Sequence, residues 1–213
     1  MSTHVNDQAD GWFDQVGGEW QLRFVRRLAH PREKVWLALT EPAHRDAWFP
    51  QRIECDGPWR PGARLQFIGT TPGGSFDGEV YVYDPPRALD LRWGTDRLRF
   101  DLAEADGGTV LTLVSTLGEL GTAARTGAGW QVCLDTLGHA LAGTAPRWTG
   151  EQRWRELHPA YASQFGPEAA TIGPPAGHPV LDGERSEQTG RVPGELSPPR
   201  WRCVRPRTAI RFF

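Results

Sequence analysis

The chain is expected to be an α+β protein. Strand-like segments follow one another through its middle, short turn formers separate them, and a long amphipathic helix comes after. Strands and helices do not alternate, which excludes a doubly wound parallel sheet. From Trp20 the apolar residues Trp20, Leu22, Phe24 and Leu28 interleave with Gln21, Arg23 and Arg27, the period of a half-buried strand. Pro31 then stands where the first turn of a helix tolerates it, and Val35, Trp36 and Leu39 recur at helical spacing until Pro42. A second short helix is expected over residues 43–48, stopped by Pro50. Strand signals follow over 63–69, 76–83, 88–93, 98–103 and 109–117, with a short one near 52–55. Their separators, Pro72-Gly73-Gly74, Asp84-Pro85-Pro86, Gly94-Thr95-Asp96 and Asp106-Gly107-Gly108, are short enough for antiparallel hairpins.

The helix after the strands carries Trp130, Cys133, Leu134, Leu137 and Leu141, which fall within about 60° of one another at 100° per residue. Gly143 supplies its stop. On the same wheel His139 lies opposite Trp130 and is expected to face solvent. A last helical segment over 151–165, carrying Trp154, Leu157, Tyr161 and Phe165, closes the domain, with Pro159 either kinking it or marking where it begins. A curved sheet facing one helix with a narrow apolar stripe leaves room between them that small side chains do not fill, and that room is the candidate site.

Composition narrows the function classes. Of 213 residues, 24 are basic and 26 acidic, leaving a net charge of -2 and no global field for nucleic acid or acidic lipid. The proportions of hydrophobic (38%) and charged (23%) residues fit a globular core. Cys55, Cys133 and Cys203 are scattered and read as reduced thiols, and no zinc pair of histidines appears. No signal-length or membrane-length apolar run is present, so a cytoplasmic address without a membrane span is expected. From residue 166 onward, eight prolines and six glycines in 48 positions, with no apolar period, read as a disordered tail. Its segment 200–207, with arginines around Trp201, is expected to be solvated.

Three stretches carry a family resemblance: RRLAHPREKVWLALTEPAHRDAWFP, GEVYVYDPPRALDLRW and GAGWQVCLDTLGHAL. Together they resemble the SRPBCC or START-like superfamily, in its branch similar to activator of heat-shock-protein ATPase homologues. The likeness runs in order from Trp20 to Phe165, with Gly129-Trp130 opening the last long helix. It implies a helix-grip fold, in which a curved antiparallel sheet of six or seven strands wraps a C-terminal helix around a mainly hydrophobic cavity. It also implies lipid- or polyketide-like ligands, related enzymes, or co-chaperones. Many relatives carry a histidine shortly before the Gly-Trp pair, where this chain has Arg125, Thr126, Gly127 and Ala128, so any role of that histidine does not transfer. The expected domain is 18–165, flanked by an extension 1–17, whose Trp12 and Phe13 could cover a sheet edge, and a tail 166–213.

Trp36, Trp48, Phe49, Phe67, Trp93 and Trp130 are the rings from which a cavity wall could be built. The expected ligand-binding set is Trp48, Phe49, Phe67, Trp93, Trp130, Leu134 and Leu137, taking up a hydrophobic small molecule without catalytic residues, cofactor or metal. Two alternatives stay open. A polyketide cyclase or hydrolase would need titratable groups aimed inward, for which His44 and Asp46, or Asp77, Glu79 and Tyr81 on one strand face, are the candidates. A co-chaperone-like module would instead present an exposed apolar patch to a chaperone or other protein.

Overall fold

A computed structural model describes residues 8–69 and 74–173. The Pro72-Gly73 part of the first expected turn, the arginine-rich segment 200–207 and Cys203 lie outside the described residues. The elements in chain order are β1 (Trp12–Val16), β2 (Glu19–Leu28), α1 (Arg32–Thr40), α2 (Pro42–Arg45), β3 (Arg52–Cys55), β4 (Arg64–Ile68), β5 (Phe76–Asp84), β6 (Ala88–Trp93), β7 (Asp96–Ala105), β8 (Gly108–Thr116), α3 (Ala123–Ala142) and α4 (Gly150–Phe165). The eight strands form one antiparallel sheet in the order β1-β2-β8-β7-β6-β5-β4-β3. After β2 the chain crosses the sheet through α1 and α2 to the far edge, then meanders back until β8 pairs with β2. The α+β class and the helix-grip arrangement are as the sequence implies.

Period-2 burial sets the inner face. Leu22 and Phe24 on β2, Leu89 and Leu91 on β6, Leu98, Phe100 and Leu102 on β7, and Leu111 and Leu113 on β8 are all buried. The β7–β8 hairpin turns at Asp106 (φ +40°) and Gly107 (φ +78°), two successive left-handed residues of the kind that match strand twist. α3 lies against this inner face, burying Trp130, Leu134, Leu137 and Leu141 toward it, and α4 packs on α3 from outside. Gly143 ends α3 in the left-handed conformation (φ +67°). Lys34, the single lysine, donates from Nζ to the Leu141 carbonyl at 2.9 Å and so ties α1 to that helix end. α4 begins with a capping box, in which Thr149 and Gln152 bond each other's backbone N–H.

Four features differ from the sequence reading. β1 adds an eighth strand from the segment ahead of Gly18. α3 begins at Ala123, two turns before Gly129, because Ala123, Ala124, Gly127 and Ala128 bury small surfaces where α4 comes close. A Cβ on Gly127 would sit 3.0 Å from the Tyr161 ring. His139 is half-buried, its Nδ1 2.9 Å from the Thr144 hydroxyl and its ring edge-on to Trp148, because the chain folds back over it after α3. The ordered chain also continues past 166: Ala169 is buried, and the Ile172 N–H donates to the Gly121 carbonyl at 3.0 Å.

The N-terminal segment is held by a buried polar cluster. The Tyr161 hydroxyl donates to Gln131 Oε1 (2.6 Å) and accepts from the Gly11 N–H (2.9 Å). Arg26, pointing inward from β2, reaches Asp10 at 3.0 Å and Asp135 at 3.5 Å, and Arg153 of α4 meets the same Asp135 at 3.3 Å. Buried charges require such partners, and each here has at least one.

Candidate functional site

The space between α3 and the sheet is lined by aromatic side chains from seven positions on five elements and the loop after α2. Trp48 and Phe49 follow α2, where Pro50 ends the turn; Phe67 comes from β4, Phe76 from β5, Trp93 from β6, Phe100 from β7 and Trp130 from α3. Neighbouring ring centroids lie 5.5 Å apart for Trp48–Phe49, 6.2 Å for Phe49–Phe67, 5.2 Å for Phe67–Phe76, 5.6 Å for Phe76–Trp93 and 5.4 Å for Trp93–Trp130. Trp130–Phe100 at 6.4 Å and Phe100–Trp48 at 6.3 Å complete a closed circuit. Phe49 also meets Trp130 across it at 5.6 Å. Most pairs are tilted or edge-on, the arrangement the ring quadrupole prefers.

Glycine at position 78 makes part of this circuit possible. A Cβ there would stand 2.3 Å from Phe67 Cε2 and 2.5 Å from the Arg92 carbonyl oxygen, so only a bare Cα lets Phe67 lie down on β5. Trp48 is fixed by donating its indole N–H to the Ala38 carbonyl at 2.8 Å. Trp93 and Phe76 are half-buried and mark where the circuit reaches the surface; there Trp93 donates to Gln51 Oε1 at 3.1 Å.

All five predicted aromatic residues, Trp48, Phe49, Phe67, Trp93 and Trp130, are brought together. Leu134 and Leu137 are fully buried further along the same helix face. Trp36 lies apart, against Tyr83. Phe76 and Phe100 were missed, although Phe100 shares the period-2 inner face of Leu98 and Leu102 and could have been found by that signal. Around the circuit the rings touch one another, so the expected hollow is at these positions filled by ring against ring. Three clefts lined by described residues lie elsewhere: on the outer face beside Glu54 and Arg64, at the β6–β7 turn beside Asp96, and between β1 and α4.

Two polar atoms inside this apolar interior have no partner among the described residues. Trp130 is 2% exposed and its Nε1–H meets no acceptor, and the Ser115 hydroxyl, on the inner face of β8, is likewise unpaired. A buried unpaired donor costs about 1–3 kcal/mol, so such an atom calls for a reason.

The titratable candidates fall outside the circuit. Asp77 and Tyr81 are exposed on the outer sheet face and Glu79 is half-exposed there. Between His44 and Asp46, Arg45 is the buried residue. It donates to the Thr40 and Ile53 carbonyls at 3.0 Å each and lies over the Trp59 ring, which is the work of a structural clamp. Burial lowers its pKa. Burial and the neighbouring Asp135 push the Cys133 thiol up to about 12, which leaves it a poor nucleophile. No group of three or more histidine, cysteine or carboxylate side chains suited to a metal occurs among the described residues, and no helix among them is long and apolar enough to cross a membrane.

A long helix laid on the inner face of a curved antiparallel sheet, with an aromatic interior between them, defines the helix-grip class of the SRPBCC superfamily. Within that class the chain belongs to the family described as Activator of Hsp90 ATPase homolog 1-like protein, whose pattern matches residues 29–142, more than half of the chain. Solved structures share the fold. A conserved protein of unknown function, EF2215 from Enterococcus faecalis, superposes with a TM-score of 0.60 at 22% identity over 73% of this chain and 92% of that one. CalU16 from Micromonospora echinospora superposes in solution with a TM-score of 0.58 at 22% identity, over 76% of this chain and 97% of the other. The crystal structure of CalU16 gives 0.55 at 23% identity over 73% and 95%. Comparison with curated proteins gave no match.

Proposed function

We propose that the protein binds an apolar small molecule, lipid- or polyketide-like, between α3 and the sheet, with Trp130 as the polar anchor. The observation that carries this reading is the unpaired Trp130 indole N–H, held inside a ring of aromatic side chains. A carbonyl or ether oxygen on a bound molecule would satisfy that donor, while the rings supply apolar area. Entry runs past Trp93 and Phe76, the two half-buried members, which swing aside as the molecule takes their place. Burying about 300 Å² of apolar ligand surface favours binding by roughly 7 kcal/mol before association and ordering costs. The circuit contains only aromatic residues, which favours binding over turnover.

The test is titration of the ¹⁵N-labelled full chain with a panel of apolar fluorophores, following the indole N–H cross-peaks. Saturable shifts concentrated on Trp130 and Trp93 are expected. Shifts confined to exposed Trp12, or none that saturate, would overturn the reading.

A further inference from the structure

We propose that the C-terminal segment 200–213 of this same chain docks in the groove beside β1 and completes the open edge of the sheet. This goes beyond small-molecule binding and uses a different face. Among the described residues β1 pairs only with β2, so its other edge presents backbone groups with no described strand beside them. Next to that edge runs an apolar groove whose walls include Trp12, Phe13, Trp20, Leu120 and Phe165. Trp12 is 58% exposed and Val16 53% exposed, the two most exposed large apolar side chains among the described residues. Asp14 and Glu168 give the groove an acidic rim.

The segment fits this surface in three respects. Residues 200–213 hold five arginines and no acidic residue, which complements Asp14 and Glu168. After Pro206 the run Arg207-Thr208-Ala209-Ile210-Arg211-Phe212-Phe213 is rich in β-branched and aromatic residues and has no further proline, as an added strand requires. Its tether also starts in the right place, because Glu168 and Ala169 line the groove and Ile172 is pinned to Gly121. The 26 residues of 174–199 can span at most about 90 Å, so their length allows the segment to return to the groove. Because the segment is tethered to the groove's own chain, docking is intramolecular and even weak contacts are populated.

Hydrogen exchange on the full-length chain tests the proposal. The peptide covering residues 11–17 is compared between the natural protein and a variant carrying Ile210→Ser, Phe212→Ser and Phe213→Ser. About tenfold faster exchange of that peptide in the variant, independent of protein concentration, is expected. A second variant, Asp14→Asn with Glu168→Gln, is expected to give a smaller acceleration in the same peptide. Identical exchange in the natural protein and the triple variant would overturn the proposal. So would protection that disappears on dilution, since that would assign the edge to a second copy of the chain.

Discussion

Replacing Trp130 by phenylalanine separates a free indole N–H from a satisfied one. The change removes roughly 40 Å³ of ring from a site that is almost completely buried, which at ~24 cal/mol per Å³ costs about 1 kcal/mol of cavity energy. Lost transfer energy adds about 1 kcal/mol. Against this, the variant no longer buries an unpaired donor, which returns about 1–3 kcal/mol. The two sides nearly cancel, so Trp130→Phe is expected to leave the stability of the free protein within about 1 kcal/mol of the original. A tryptophan whose N–H had an acceptor would lose the volume terms and also strand that acceptor, for a total of about 3–5 kcal/mol. Urea denaturation decides between these values, provided the m-value is unchanged. The same variant should bind a carbonyl-bearing apolar ligand about two- to thirteen-fold more weakly, the worth of one neutral hydrogen bond. A loss of 3 kcal/mol or more in the free protein would refute the reasoning, because it would mean that the donor is already paired.

Three further outcomes follow from the geometry. Gly78→Ala forces a methyl to within 2.3 Å of Phe67 and 2.5 Å of a fixed carbonyl; overpacking of this kind should cost about 1–3 kcal/mol and change the near-UV circular dichroism of the ring circuit. Tyr161→Phe removes the hydroxyl acceptor of the Gly11 N–H and the donor to Gln131, and should cost about 1–3 kcal/mol by urea denaturation. His158, stacked on Trp154, has its pKa lowered from 6.5 by burial, so the unfolded chain takes up its proton first as pH falls. Its contribution is therefore complete above about pH 6.5 and is lost as pH falls through the lower folded value. The drop in stability between pH 7.5 and 5.5 should accordingly be smaller in His158→Gln, and an equal or larger drop would contradict this.

Much of the fold is legible in the residues because alternation is a local signal. β3 and β6 fall on the segments marked by Ile53 and by Leu89, Leu91 and Trp93, and the turn at Asp106-Gly107 is declared by residue type. β1 is not legible: it is five residues long and four of them are exposed, so no period of burial exists to read. The start of α3 is hidden for a related reason, since its first two turns bury alanine and glycine, which carry almost no hydrophobic signal. At the site, residue type identifies the aromatics, but which ring meets which depends on cross-strand register, such as Phe100 opposite Leu89 and Leu113. Buried Arg45, Asp90 and Arg153 are unreadable because a charged residue is exposed by default until a partner is known.

The bond between Gly11 and Tyr161 joins positions 150 apart in the chain. Synthesis runs from the first residue to the last, so the opening segment waits without its anchor until the final helix has been made. Closing so long a loop is slow relative to pairing neighbouring hairpins. The meander can therefore assemble early while the segment ahead of β1 is fastened late, and a foreign domain fused ahead of that segment would crowd a joint that forms only once α4 exists.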